Sequence, residues 1–219
     1  MPNWCYTTIA FYSENKAVVE DFRTKLLEVY DGEPTQKNDF GNGWLGDYIN
    51  KFIPECNEDI ATPENEVRYR GSIHDFDRDT LRQKDKYFYF FIWTETAWVA
   101  MTAMWSRIIK KLGLDIGIAF SAEETGNEYL VKYDEIGIFE GENVYCDFYF
   151  PKKEYYAEEH YHSSVEDCAE TLAEYTDERF KGKKTIEELQ AVFDELCKED
   201  EDGFGYVVEV YTPETVDET

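Results

Sequence analysis

Basic charge is scarce in this 219-residue chain: 22 Lys and Arg stand against 48 Asp and Glu, for a formal charge of −26 at pH 7. A field of that sign repels phosphates and so disfavours direct contact with DNA, RNA or an anionic membrane. Histidine is nearly missing, with His74, His160 and His162 the complete set, which leaves little for acid–base chemistry near neutral pH. The five cysteines, Cys5, Cys56, Cys146, Cys168 and Cys197, are odd in number, far apart and free of any C-x-x-C pair. That is neither a disulfide framework nor a zinc ribbon, and thiols of a reducing cytosol are expected. No apolar run approaches the roughly 18 residues of a membrane span. The opening "MPNWCYTTIAFYSEN" has neither the basic start nor the apolar stretch of a signal peptide. Gly-x-Ser-x-Gly, Gly-x-x-x-x-Gly-Lys-Ser/Thr and His-Glu-x-x-His do not occur. The sequence therefore nominates no catalytic residue, no metal ligand set and no cofactor.

Aromatic residues, by contrast, make up 17% of the chain, and disordered chains are poor in them. Trp4 to Tyr12 is β-branched and aromatic, which predicts a strand. An amphipathic helix is expected near Lys16–Tyr30, stopped at Gly32, with a short helical turn near Leu45–Asn50 in a loop-rich stretch. Strand character returns at Val67–Phe76 and in "KYFYFFIWT", residues 86–94. A second helix is expected over Ala97–Leu112, burying Trp98, Met101, Trp105, Ile108 and Leu112, with Gly113 as its stop; Asp115–Ser121 then reads as a strand. This order is β-α-β-β-α-β, the ferredoxin-like arrangement. Tyr129–Phe139 and Val144–Phe150 flank the turn "EGEN" and suggest a hairpin. Two acidic helices follow, with capping boxes at Ser163/Glu166 and Thr185/Glu188, then a final strand at Phe204–Tyr211. The expected fold is an α+β two-layer sandwich, with a ferredoxin-like core over 1–122 and a hairpin plus helical extension over 123–219 packed on the same domain.

Several local patterns fail their chemical tests. Asp75, Asp77 and Asp79 alternate as in a calcium loop, but position 6 is Thr80 where glycine is required and position 12 is Lys86 where glutamate is required. His160 and His162 flank Tyr161 and would point to one side of an extended segment. Their spacing from Cys146 and Cys168 matches no standard zinc finger, so surface histidines are expected. The glycine-rich "DFGNGWLG" of Asp39–Gly46 has no lysine and reads as turn chemistry.

Charge is distributed unevenly. Residues 151–219 hold 21 acids and 7 bases, net −14, whereas residues 1–150 hold 27 and 15, net −12. Glu166, Glu170, Glu174 and Glu178 recur every four residues, widened by Asp167 and Asp177, and Glu187 and Glu188 open the next helix. Like charges at i,i+4 cost a helix about 0.2–0.5 kcal/mol per pair. The ridge is therefore kept against stability, while Val165, Cys168, Ala169, Leu172 and Tyr175 form the stripe expected to pack inward. These eight acids are the expected partner-binding residues, and a solvated face is the bland alternative.

The opening "MPNWC", the segment "NKFIPE" (Asn50–Glu55), "TETAW" (Thr94–Trp98) and the strand "DIGIAFSAEETGNE" resemble a family of small phage and plasmid proteins carrying a YubB-type ferredoxin-like domain. The similarity covers roughly residues 1–140. It implies a ferredoxin-like fold and a mobile-element origin, and it supplies no activity. With the charge, it leads to the expectation of a non-enzymatic cytosolic protein that occupies a basic, nucleic-acid-binding surface, such as that of a host defence nuclease or its guide-bound complex. The competing expectation is a small-ligand or nucleotide module using the aromatic face of "YFYFFIW". A metal-dependent hydrolase built from carboxylates is the third.

Overall fold

The structure, a computed structural model, describes residues 3–35, 43–57, 66–124 and 129–215, with the side chains of 157–159 left out. The glycine-rich pattern at 39–42 and the end of the acidic tail, 216–219, lie outside the described residues. The chain divides into two compact units, residues 1–138 with 212–219, and residues 139–211. The division falls after Ile138, not after residue 122. Both units are mixed α+β with antiparallel sheets, and the described residues form five α-helices.

The larger unit follows the expected order. Strand β1 (Trp4–Ser13) leads into α1 (Lys16–Tyr30), whose N-cap Asn15 accepts from the Ala17 amide at 3.1 Å. Then come α2 (Leu45–Phe52), β2 (Gly71–Phe76), β3 (Arg82–Lys84), β4 (Tyr87–Ala97), α3 (Thr102–Leu112), β5 (Gly117–Glu124) and β6 (Tyr129–Tyr133). The strands run β2-β4-β1-β5-β6 across the sheet, with β3 also on β4. One face of the sheet is covered by a core in which Phe11 meets Phe22, Phe90 and Trp105 at centroid distances of 5.1–5.5 Å.

Helix α3 starts at Thr102, five residues later than expected. Trp98 and Met101 hold φ of 69° and 54°, left-handed values that no helix interior admits. Met101 is buried as expected, but Trp98 is half exposed. Gly113, at φ 64°, ends the helix as anticipated.

The expected hairpin does not form. Strand β6 pairs with β5, from Phe120↔Tyr133 to Glu124↔Tyr129. Strand β7 (Val144–Phe150) instead lies at the centre of the second unit's sheet, in the order β8-β7-β9, between β8 (Tyr155–His162) and β9 (Phe204–Glu209). Its sequence explains the place: five of its seven residues are buried, so it needs a neighbour on both edges. Helices α4 (Val165–Tyr175) and α5 (Ile186–Glu199) cover one face of this sheet through Cys168, Ala169, Leu172, Leu189, Val192, Phe193 and Leu196. Phe193 stacks on Phe150 and meets Phe180 and Phe148. Gly205 lies against that ring, where an added Cβ would come within 2.4 Å of Phe193.

The cap of α4 is shifted by one residue from the expected box. Ser164 accepts from the Asp167 amide at 3.1 Å, and the Asp167 carboxylate accepts from the amide and hydroxyl of Ser163. At α5 the expected pair is present: Thr185 accepts from the Glu188 amide, and Glu188 reaches back to the Lys184 amide. Tyr175, expected on the inner stripe of α4, is exposed.

Candidate functional site

The eight acids separate into two groups. Asp167, Glu187 and Glu188 occupy the first turns of α4 and α5, where backbone amides hold the carboxylates. Those bonds keep Asp167 and Glu187 below the usual carboxylate range. Asp177 is half-buried and bound by Arg179 at 2.9 Å, which likewise holds its carboxyl down. Glu178 is exposed but lies in the separate 3-10 turn Glu178–Phe180, beyond the end of α4. The ridge on α4 is therefore three residues long: Glu166, Glu170 and Glu174, all exposed and in no ion pair among the described residues.

Three of the unit's seven cations are paired elsewhere. Arg179 binds Asp177, Glu195 and Glu199. Lys153 pairs with Glu199 at 2.6 Å, and Lys152 reaches Asp200 and Asp202. Among the described residues, no cation is spent on the outer face of α4.

Beneath that helix the structure brings together residues that the sequence leaves apart. Val144 pairs with His162 and Cys146 with His160 across β7 and β8, so Cys146, His160 and His162 share a sheet face. Two serines later α4 begins, and its first turns carry Cys168 back over the same face. The ligand atoms of Cys146, His162 and Cys168 all lie within 4.8 Å of one another, and all three residues are buried. The Cys146 sulfur is 3.6 Å from His162 Nε2, and His162 Nδ1 is 3.9 Å from the Asp167 carboxylate. The expectation of surface histidines fails at His162, which is buried beside both thiols because β8 pairs with β7 under α4. His160 is exposed, as expected, at the rim of a cavity of about 380 Å³ also lined by Cys146, His162, Tyr155 and Tyr175.

Electrostatics divides the two thiols. Cys146 keeps its proton and donates to Cys168, so Cys146 is pushed up and Cys168 is pulled down; His162 adds to the second effect. His162 is raised, chiefly by its hydrogen bond with Cys168. Cys5 shows the contrasting case, a thiol pushed up to about 11 by burial and therefore inert. Chemically the cluster offers two soft donors and one imidazole, the set that can hold a metal ion.

In the larger unit the outward aromatics of β4 are less available than expected. Phe91 is buried under the Arg82 guanidinium, 4.8 Å from its ring centroid, while Tyr87, Tyr89 and Trp93 are half-buried. A different cavity, of about 800 Å³, is lined by Trp44, Arg68, Tyr69, Arg70 and Trp98. The Arg70 guanidinium lies 5.4 Å from the Trp98 ring centroid. The Asp75–Asp79 run serves the fold, because Asp77 is buried and binds Arg82 at 3.0 Å.

No described helix is long and apolar enough to cross a membrane. Comparison with protein-family models, curated proteins and solved structures returned no match to this chain.

Proposed function

We propose that this chain is a non-enzymatic interaction protein that lays an acidic helix face against a basic, nucleic-acid-binding surface of another protein. The observation that carries the reading is the outer face of α4, where Glu166, Glu170 and Glu174 stand exposed and in no ion pair among the described residues, while Arg179, Lys152 and Lys153 are committed to other carboxylates. Successive ridge carboxylates are about 6 Å apart along the helix, which makes a regular row of oxyanions. Spread evenly, 26 charges would be far sparser than the one per 1.7 Å of duplex axis. The three carboxylates gathered on the α4 face raise the charge locally above that even spread, and a basic groove that takes a nucleic-acid backbone would attract them.

The order β2-β4-β1-β5, with α1 and α3 in the two crossovers, supports a ferredoxin-like arrangement for residues 4–124. The resemblance of the "MPNWC" opening supports a mobile-element setting in the host cytosol, with a defence nuclease or a guide-bound complex as the target. The full chain, immobilised and exposed to host lysate, should retain a basic protein that elutes on a salt gradient. Glu170→Lys/Glu174→Lys should lose it. Equal retention by both proteins at the same salt would refute the reading.

A second reading is supported by the cavity beside Trp98. Three aromatic rings and two arginines, against the single carboxylate of Glu66 in the same lining, suit a planar anion such as a nucleotide. The left-handed backbone at Trp98, costly for a bulky residue, is the kind of strain that ligand sites retain.

A further inference from the structure

The geometry points to a zinc-type metal site formed by Cys146, His162 and Cys168, with its fourth position facing the cavity beside His160. Zinc bonds of roughly 2.3 Å to sulfur and 2.0–2.1 Å to nitrogen, set at a tetrahedral angle, place sulfur and nitrogen about 3.5–3.6 Å apart. The Cys146 sulfur and His162 Nε2 stand 3.6 Å apart, and the Cys168 sulfur completes a triangle no wider than 4.8 Å. All three donors are buried and come from three elements, β7, β8 and α4, so the triangle is held by the core of the unit rather than by a loop.

Charge balance favours occupancy. A divalent cation with two thiolates and a neutral imidazole is uncharged overall, which removes most of the cost of burying an ion. Each thiol gives up its proton to solvent as the metal enters. Two sulfurs and an imidazole are soft and borderline donors, which select zinc over magnesium or calcium.

The surroundings match what such a site needs. Once Nε2 is on the metal, His162 Nδ1–H faces the Asp167 carboxylate across 3.9 Å, longer than a hydrogen bond but on the side where an outer partner of a ligating imidazole stands. Asp167 is itself pinned by the amide and hydroxyl of Ser163 at 3.0 and 2.9 Å. A cavity of about 380 Å³ borders Cys146 and His162 and gives an entry path, and His160 stands in it two residues from His162 on the same strand face. The site does not depend on the acidic docking reading, since no ridge carboxylate of α4 is a ligand.

The test uses the full chain, reduced and stripped of metal, titrated with Co(II) and then with Zn(II). One Co(II) per chain, with thiolate charge-transfer absorption and the strong visible bands of a tetrahedral ion, is expected, and Zn(II) should displace it while excess Mg(II) should not. Cys146→Ser and Cys168→Ser should each weaken uptake by more than the roughly 10–100-fold that loss of an outer partner costs. Cys5→Ser and Cys197→Ser should leave it unchanged. If the two ligand variants fail to fold, thermal unfolding of the wild-type chain decides: one equivalent of Zn(II) should raise the melting temperature and excess Mg(II) should not, and no rise with Zn(II) would overturn the site. No Co(II) or Zn(II) uptake, displacement by Mg(II), or bands that survive Cys168→Ser would each overturn the assignment.

Discussion

Reversing one charge at the centre of the α4 ridge should make the protein more stable. Glu170 has Glu166 four residues before it and Glu174 four residues after it, and all three are exposed. Unit charges about 6 Å apart in water repel by about 0.7 kcal/mol, which screening at physiological salt reduces to about 0.3 kcal/mol. Glu170→Lys converts two such repulsions into two attractions, a gain of about 1 kcal/mol. Helix propensity does not interfere, because Lys and Glu are nearly equal. Nor does the macrodipole, because Glu170 is the sixth of eleven helical residues and its field is confined to the terminal turns. In a unit of this size 1 kcal/mol raises the melting temperature by about 4–8 °C. The assay is thermal unfolding by circular dichroism at about 20 mM and about 500 mM salt. The gain should rise by roughly half in the first buffer and roughly halve in the second, as the Debye length falls from about 20 to about 4 Å. Glu170→Gln, which removes repulsion without adding attraction, should show about half the effect. A Glu170→Lys protein no more stable than the wild type in the low-salt buffer would refute the ridge as a set of interacting charges.

Two further outcomes test the rest of the structure. Arg179 holds Asp177 and Glu199 below the usual carboxylate range, so the stability they contribute is present above their unfolded pKa values, near 4, and lost as pH falls through the folded ones. Arg179→Gln should therefore lower stability at pH 7, and denaturant unfolding should show the gap from wild type closing below about pH 4; a gap independent of pH would contradict the network. Titration with a nucleotide should quench tryptophan emission if the cavity beside Trp98 takes planar anions, and Trp98→Ala should weaken binding by about 5–150-fold, the range of one lost stacking contact; wild-type emission unmoved at millimolar nucleotide would remove that reading.

Much of the larger unit is legible in the sequence because its signals are local. Asn15 caps α1 where the apolar period begins, and Gly113 takes the left-handed turn that ends α3. What fails needs partners rather than patterns. A period of two identifies Tyr129–Tyr133 and Val144–Phe150 as strands but says nothing of which edge each one meets, and the turn "EGEN" suggests the wrong pairing. The start of α3 reads early because Ala97 to Met101 has a helical composition; only the left-handed backbone at Trp98 and Met101 breaks it. Strand β8, "YYAEEHYH", escapes a sequence reading because it has no period of two and almost no apolar residue, little signal for an edge strand.

The acidic ridge and the thiol cluster differ in the same way. A ridge on a helix is a property of spacing, so Glu166, Glu170 and Glu174 can be read directly; spacing cannot reveal that Glu178 falls past the helix end or that Asp167 and Asp177 are already bound. The cluster is a property of register. Cys146 meets His162 only because β8 pairs with β7 so that Val144 stands opposite His162, and Cys168 joins them only because α4 is capped at Ser164 and turns back over the sheet. Counting from Cys146, the other donors lie 16 and 22 residues along the chain, a spacing that fits no metal motif because a strand, a cap and a helix intervene. One signal is present: His160 and His162 alternate on an extended segment followed by a capped helix that carries a cysteine at its fourth residue. A strand that ends on a histidine and a helix that opens near a cysteine put both donors at one strand–helix corner, and the neighbouring strand needs to add only one more sulfur to complete the set.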